Sequence, residues 1–339
     1  MKLSGEATQA EQVLAEEMAN ANPPAVNPHT ALFKSSTISG SILQGMEIPE
    51  RETLLSPYFK AGDYGIIFAP RGVGKSWLSL MIAKALTEGG KIGNHWEAPN
   101  RRNTLYLDAE MNLYDLQKRC QQLAIVNDRF HLLSHEIVFT ESADQLSLNL
   151  ADPVQQDALK EHCLAEKIDV LILDNLSTAF KGLNENESDS WEQVSPWLLE
   201  LRRHGIAVVL VCHAGRNGNI RGTSRREDMA HWILSLEESD TGHEEGHEFK
   251  TRFTKQRNCT ASDVPALAWT MKQGENGMQI TTTTIDLKSQ MIELIQGGMS
   301  SAKDLAEELG KSKGTISKWA KTAADEGRIK NINGRYLPI

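Results

Sequence analysis

Residues 69–76 of this 339-residue chain read Ala-Pro-Arg-Gly-Val-Gly-Lys-Ser. Two glycines, a lysine and a hydroxyl at this spacing suit one kind of chemistry. The glycines let successive backbone N–H groups turn inward. A helix starting there adds its own unpaired N–H groups and positive dipole end, so the segment can cradle phosphate. Lys75 then reaches the β- and γ-phosphates, and the Ser76 hydroxyl binds Mg²⁺. The P-loop pattern G-x-x-x-x-G-K-[ST] is one letter short, because Ala69 stands at the first glycine. That position is where a strand leaves its sheet; it offers phosphate no side chain, and alanine adds only a methyl. Pro70, Arg71, Gly72, Val73, Gly74, Lys75, Ser76 and Trp77 are therefore the expected nucleotide-binding set, with ATP and Mg²⁺ as ligands.

Hydrolysis needs carboxylates as well. LILDN ends four apolar residues with Asp174, which suits a Mg²⁺-side carboxylate at a strand's carboxyl tip. LYLDAE ends in Asp108 and Glu110, and a carboxylate there can orient and deprotonate an attacking water. Asn175, not glutamate, follows Asp174, so the base is not adjacent to the metal carboxylate and Glu110 is the candidate. The alternative for Glu110 is a helix cap or first-turn acid.

The elements that must hold these groups alternate along the chain. DYGIIFA, NTLYLDAE, a short strand near EIVFT, IDVLILDN and IAVVLVCH are apolar strands. Helices are expected at WLSLMIAKALTEGG, NLYDLQKRCQQLA, PVQQDALKEHCLAE and DSWEQVSPWLLELRRHG. This alternation predicts an α/β fold, a mostly parallel sheet with helices on both faces. ILSLEE, EFKTRFTKQR, ALAWTMK and MQITTTTID then read as an antiparallel extension. Residues 1–28 read as a flexible or helical tail, 29–285 as the ATPase domain and 286–339 as a small helical domain. HEEGH at 243–247 fits a zinc-peptidase pattern, but it runs into an alternating strand, which cannot place two rings on one metal.

The formal net charge is −9, so any nucleic-acid contact must be local. Residues 287–339 hold nine Lys+Arg and six Asp+Glu, or +3, which leaves −12 for the other 286. The four cysteines are far apart in sequence and form no CxxC pair, as expected of reduced thiols in a cytoplasmic protein. No apolar run reaches the ~20 residues of a membrane span, and no membrane partner is expected.

APRGVGKSWLSL, LYLDAEMNLYDLQKR, LILDN, VVLVCHAGRNGNIRGTS and FTKQRN, in this order, resemble the RecA-like ATPases, most closely the RepA-type hexameric plasmid-replication helicases. The resemblance covers about residues 40–285. It implies a RecA-like fold, Glu110 as catalytic base and His213 as sensor of the γ-phosphate. It implies that Lys255 and Arg257 reach into a neighbouring subunit's ATP, in a homo-oligomer that is commonly a hexamer. Two cations at i and i+2 of a strand do project to one face; solvated edge-strand cations are the alternative. The basic segment AGRNGNIRGTSRR, with Arg216, Arg221 and Arg225, suits a loop that binds single-stranded DNA phosphates.

The last 40 residues resemble a winged helix-turn-helix. Ala306 sits where two helices cross, Gly310 supplies a φ > 0 turn, and Asn333-Gly334 turns a hairpin. Lys313, Lys318 and Lys321 on the second helix, with Lys330 and Arg335 on the wing, are candidate duplex-DNA contacts; protein binding is the alternative. The expected function is a Mg-ATP-hydrolysing, oligomeric DNA motor of replicative-helicase type, from a plasmid or mobile element. The second reading is an ATP-switched DNA-binding regulator that does not unwind.

Overall fold

The computed structural model describes residues 27–182, 191–215, 220, 224–239, 247–274 and 277–339. Arg216 and Arg221, the side chain of Arg225, the expected helix before Pro23, and residues 243–246 of HEEGH lie outside these. The chain divides into two compact units, 1–50 and 51–339. In the first, Pro28–Ser36 (α1) begins with a proline at its first turn, and the Asn27 side chain caps it by accepting from His29 N. Gly40–Gln44 (α2) is capped by Ser39. Pro28, the last residue of the tail expected from the sequence, thus opens a helix.

The second unit starts with a hairpin of Thr53–Leu55 (β1) and Phe59–Lys60 (β2). Tyr64–Ala69 (β3) then leads through the glycine loop into Lys75–Glu88 (α3). After a second hairpin, Gly90–Ile92 (β4) and Trp96–Ala98 (β5), come Thr104–Asp108 (β6) and Leu113–Gln122 (α4). Phe130–Ser134 (β7), His135–Glu141 (α5), Pro153–Ala165 (α6) and Val170–Asp174 (β8) follow. Leu176–Ala179 (α7), Ser195–Arg203 (α8), Ala207–His213 (β9) and Ser224–Met229 (α9) lead to Trp232–Glu238 (β10). His247–Gln256 (β11), Leu267–Gly274 (β12) and Gly277–Thr284 (β13) complete a nine-stranded sheet ordered β13-β12-β11-β10-β3-β9-β8-β6-β7.

From β10 to β7 every pairing is parallel; β11, β12 and β13 add on antiparallel. This is the mostly parallel sheet with an antiparallel extension expected from the sequence. The continuous apolar runs follow from burial on both faces. Ile67, Tyr106, Ile172 and Val209 pack on one side with Leu78 and Ile82 of α3, while Ile66, Leu105, Leu171 and Val208 pack on the other with Leu159 of α6 and Leu198 of α8.

Two sequence expectations are corrected. EIVFT is not a strand: it lies in α5, and the strand is FHLLS just before it, paired with β6. Ser134 ends that strand and caps α5, and the Glu136 carboxylate accepts Leu113 N at the start of α4. This tertiary contact overrides the β preference of Ile, Val and Phe. ILSLEE belongs to β10, which is parallel to β3, so the antiparallel extension begins one strand later, at β11.

The C-terminal part has a core of its own, including Met291, Ile295, Leu305, Ile316 and Tyr336. It consists of Leu287–Gln296 (α10), Ala302–Glu308 (α11), Lys313–Asp325 (α12) and a hairpin of Lys330–Ile332 (β14) and Arg335–Leu337 (β15). Gly310 has φ 54°, and Asn333 and Gly334 have φ 54° and 80°, the two positive values of a tight hairpin turn.

Candidate active site

The loop after β3 lies at the carboxyl edge of the parallel sheet, beside the carboxyl tips of β6, β8 and β9. Ligands of open α/β sheets bind at that edge. Gly72 and Gly74 have φ 84° and 118°, conformations that favour glycine, and Gly74 is the N-cap of α3. A Cβ on Gly74 would also press on the Phe249 ring at 3.2 Å. Ala69 is fully buried, and its carbonyl accepts from Ala214 N and from Lys75 Nζ. Its methyl thus belongs to the core, and the missing glycine leaves the loop geometry intact.

A cleft of about 770 Å³ opens over this loop. Lys75, Ser76, Glu110, Asp174 and His213 all line it, together with Arg71. Lys75 Nζ donates to the carbonyls of Ala69 and Pro70 at 3.0 and 2.8 Å, and burial pushes its ammonium pKa down. Asp174 is 4% exposed. Burial raises its pKa, opposed by hydrogen bonds from the Tyr106 hydroxyl, at 2.6 Å, and from Ser76. Ser79 lies 2.9 Å from the same Tyr106 hydroxyl. Trp77, the last of the expected nucleotide-binding set, lines the same cleft; Arg119 lies over its ring at 5.1 Å and His247 stands 5.6 Å away.

Glu110 is held differently. Asp108, fully buried at the end of β6, accepts the N–H groups of Glu110 and Met111 at 3.2 and 2.7 Å through Oδ1. This turn sends the Glu110 side chain toward β8, where Asn175 Nδ2 donates to Glu110 Oε2. Asn175 also stands 3.2 Å from His213 Nε2, and Glu110 Oε2 is 3.7 Å from the same nitrogen. Burial, then Lys75, push the His213 pKa down, so the ring is neutral at physiological pH. Glu110 is no helix cap, since Asn112 caps α4. Sequence reading missed Tyr106 and Asn175. A tyrosine in an otherwise apolar buried strand was the available signal, because its hydroxyl needs a partner.

Asp108 Oδ2 has no partner within hydrogen-bond reach. Burial first, and Asp174 next, raise the Asp108 pKa to about 7. In the unfolded chain this carboxyl ionises in the ordinary range, about 3.9. Between the two values the folded state holds the extra proton, so stability falls as pH rises from about 4 to about 7. Asp108→Asn keeps an acceptor for the two N–H groups and removes the charge. Its melting temperature relative to wild type is expected to rise from pH 5 to pH 8; a difference that stays flat across that range would contradict the assignment.

Lys255 and Arg257 lie elsewhere. Lys255 pairs with Ile233, which pairs with Ile66 in the first half of β3. The cation pair therefore sits at the amino edge of the parallel strands, about four residues or ~13 Å of strand from the phosphate loop. Lys255 Nζ donates to the carbonyls of Glu227 and Asp228 at the end of α9, and Arg257 Nη2 donates to Asp228 O at 2.8 Å. Lys313, Lys318 and Lys321 are exposed on α12, and Lys330 and Arg335 are exposed on the hairpin.

The residues fit a magnesium-bound triphosphate. The loop offers left-handed glycines and a helix start, Lys75 is poised on the loop carbonyls, and Ser76 and Asp174 face the same cleft.

The AAA domain family matches residues 28–219, more than half of the chain. No curated protein matches it. Among solved structures, a KaiC-like protein from the hyperthermophilic archaeon Pyrococcus horikoshii aligns at 13% identity with TM-score 0.48, over 68% of this chain and 98% of that one. The flagellar accessory protein FlaH from Methanocaldococcus jannaschii aligns at 12% identity with TM-score 0.44, over 65% of this chain and 89% of that one. With a phosphate loop, two strand-tip carboxylates and a family match spanning the site, the chain belongs to the AAA domain family and is a P-loop ATPase built on a mostly parallel α/β sheet.

Proposed function

We propose that the protein is a Mg-ATP-hydrolysing, oligomeric DNA motor of replicative-helicase type. The observation that carries this reading is the separation of the two halves of the machinery. Lys75, Ser76, Glu110, Asp174 and His213 share one cleft, while Lys255 and Arg257 lie at the other edge of the sheet. Two cations so placed serve a second copy better than their own cleft. Exposed apolar residues in the first unit, among them Leu32, Phe33, Ile42 and Leu43, also suit assembly.

The expected chemistry uses residues already in place. The inward N–H groups of residues 72–76 and Lys75 bind the β- and γ-phosphates. Ser76 and Asp174 would hold Mg²⁺, which would supply positive charge beside the phosphate oxygens. Glu110 accepts the proton of the attacking water, with Asn175 and the neutral His213 fixing its direction. Lys255 and Arg257 of the adjacent copy stabilise the charge that develops on the transferring phosphoryl. Hydrolysis then moves the basic segment that contains Arg216, Arg221 and Arg225, the last of them in α9, along single-stranded DNA. The C-terminal helices and hairpin act as a winged helix-turn-helix, with Lys313, Lys318, Lys321, Lys330 and Arg335 meeting phosphates.

The ATP-switched regulator is favoured by one observation: the five candidate cations on α12 and the hairpin are all exposed, within a +3 segment of an acidic chain. A forked-DNA assay separates the two readings. Strand separation that needs ATP, and is lost in Lys75→Ala, is the expected result. ATP-dependent duplex binding without separation would replace the motor with the regulator.

A further inference from the structure

Arg252 lies on β11 between Thr251 and Phe253, both buried in the core, so its own side chain points to the opposite face. There its Nη1 donates to Leu309 O at 2.5 Å, and its Nη2 pairs with Glu237 Oε1 of β10 at 2.5 Å. Leu309 is the C-cap of α11. Carbonyls at a helix end have no partner within the helix and carry the negative end of its dipole, so a guanidinium is favoured there. The next residue is Gly310, at φ 54°, and a Cβ on it would overlap the guanidinium of Arg252. The turn between α11 and α12 can approach the strand closely because it has no side chain at that point. Lys311 follows, half-buried, and its ammonium pKa is pushed down by burial and then by the charge of Arg252.

We propose that Arg252 is a latch that fastens the C-terminal helices to the sheet of the ATPase. Its contacts are a side chain on a backbone carbonyl and one ion pair. The C-terminal part has its own apolar core, from Met291 to Tyr336, which stays buried when the latch opens. Opening breaks a charged contact and leaves that apolar core intact. The latch also lies three residues before Lys255, on the same strand. While it is closed, the turn between α11 and α12, with Lys311, is held against the sheet. Once it is open, that turn is free to meet a polyanion. A ligand that pulls on the C-terminal part thereby pulls on the strand that carries Lys255 and leads into Arg257.

The test is the decay of fluorescence anisotropy from a dye attached after Ile339 on the full chain, without nucleotide. In wild type the C-terminal part tumbles with the whole molecule. Arg252→Ala is expected to add a faster segmental component, slower than the wobble of the dye itself. Gly310→Asn opens the latch from the other side: asparagine tolerates positive φ, and its side chain displaces the guanidinium. It should give the same component, and the double variant should give no more. A decay in Arg252→Ala that matches wild type overturns the latch. Should Gly310→Asn lose the thermal transition of the C-terminal part, Arg252→Ala, which leaves that core untouched, decides alone. No nucleotide enters this measurement, so its outcome is independent of the motor reading.

Discussion

Glu110→Gln is expected to bind ATP as tightly as wild type and to hydrolyse it about 10²–10⁴-fold more slowly, the usual contribution of a positioned general base. Glutamine keeps the size of the side chain and an acceptor oxygen for Asn175 Nδ2, so the loss is confined to basicity. The measurement is steady-state turnover beside equilibrium binding of a fluorescent ATP analogue. The split between the two readouts carries the argument. A weaker complex with an unchanged rate constant would make Glu110 a binding residue, and full turnover would remove it from the chemistry. Asp174→Asn makes a useful contrast. Asp174 is linked to Ser76 and Tyr106, so its loss should weaken Mg-dependent binding as well as turnover.

Much of this arrangement was legible in the sequence, for a local reason. Strand tips are marked by where an apolar run stops. GIIFA, LYLD, LILD and VVLVCH each stop on the residue that the sheet brings to the cleft edge. In a parallel sheet all carboxyl tips face the same way, so four motifs far apart in sequence converge without any knowledge of their contacts. The features that were not legible depend on tertiary partners. Ile137 and Val138 have β character, yet they lie in a helix because Ser134 caps its start and Glu136 reaches the first turn of α4. The direction of β10 could not be read either. An apolar strand with one wet end fits both a parallel and an antiparallel neighbour, and the choice follows from its pairing with β3. Asn175 looked like the absence of a catalytic glutamate. In the fold its amide instead joins Glu110 to His213, a role set by β8 and β9 lying side by side.

The cation pair supports the prediction with the most to say about assembly. Arg257→Ala is expected to lower turnover by about 10³-fold or more, as loss of an arginine finger does. Lys255→Ala should follow in the same direction. A slow variant alone does not locate the finger, because an arginine that merely supports α9 through the Asp228 carbonyl could also matter. Mixing resolves this. Glu110→Gln lacks the base but has an intact cation pair, and Arg257→Ala has the reverse. If each cleft is completed by the next copy, a mixed assembly contains sites made from one good cleft and one good finger. Random mixing at equal amounts makes about a quarter of the interfaces whole, so activity should return to roughly that share of wild type. If the pair acts within its own chain, every subunit remains defective and mixing restores nothing. Along the sheet, from the Lys255–Ile233–Ile66 register to the loop after Ala69, the gap is too long for either side chain to reach its own γ-phosphate site while β11 stays paired. Recovery on mixing is therefore the outcome that the fold demands of a composite site, and its absence would return the pair to a structural role at the end of α9.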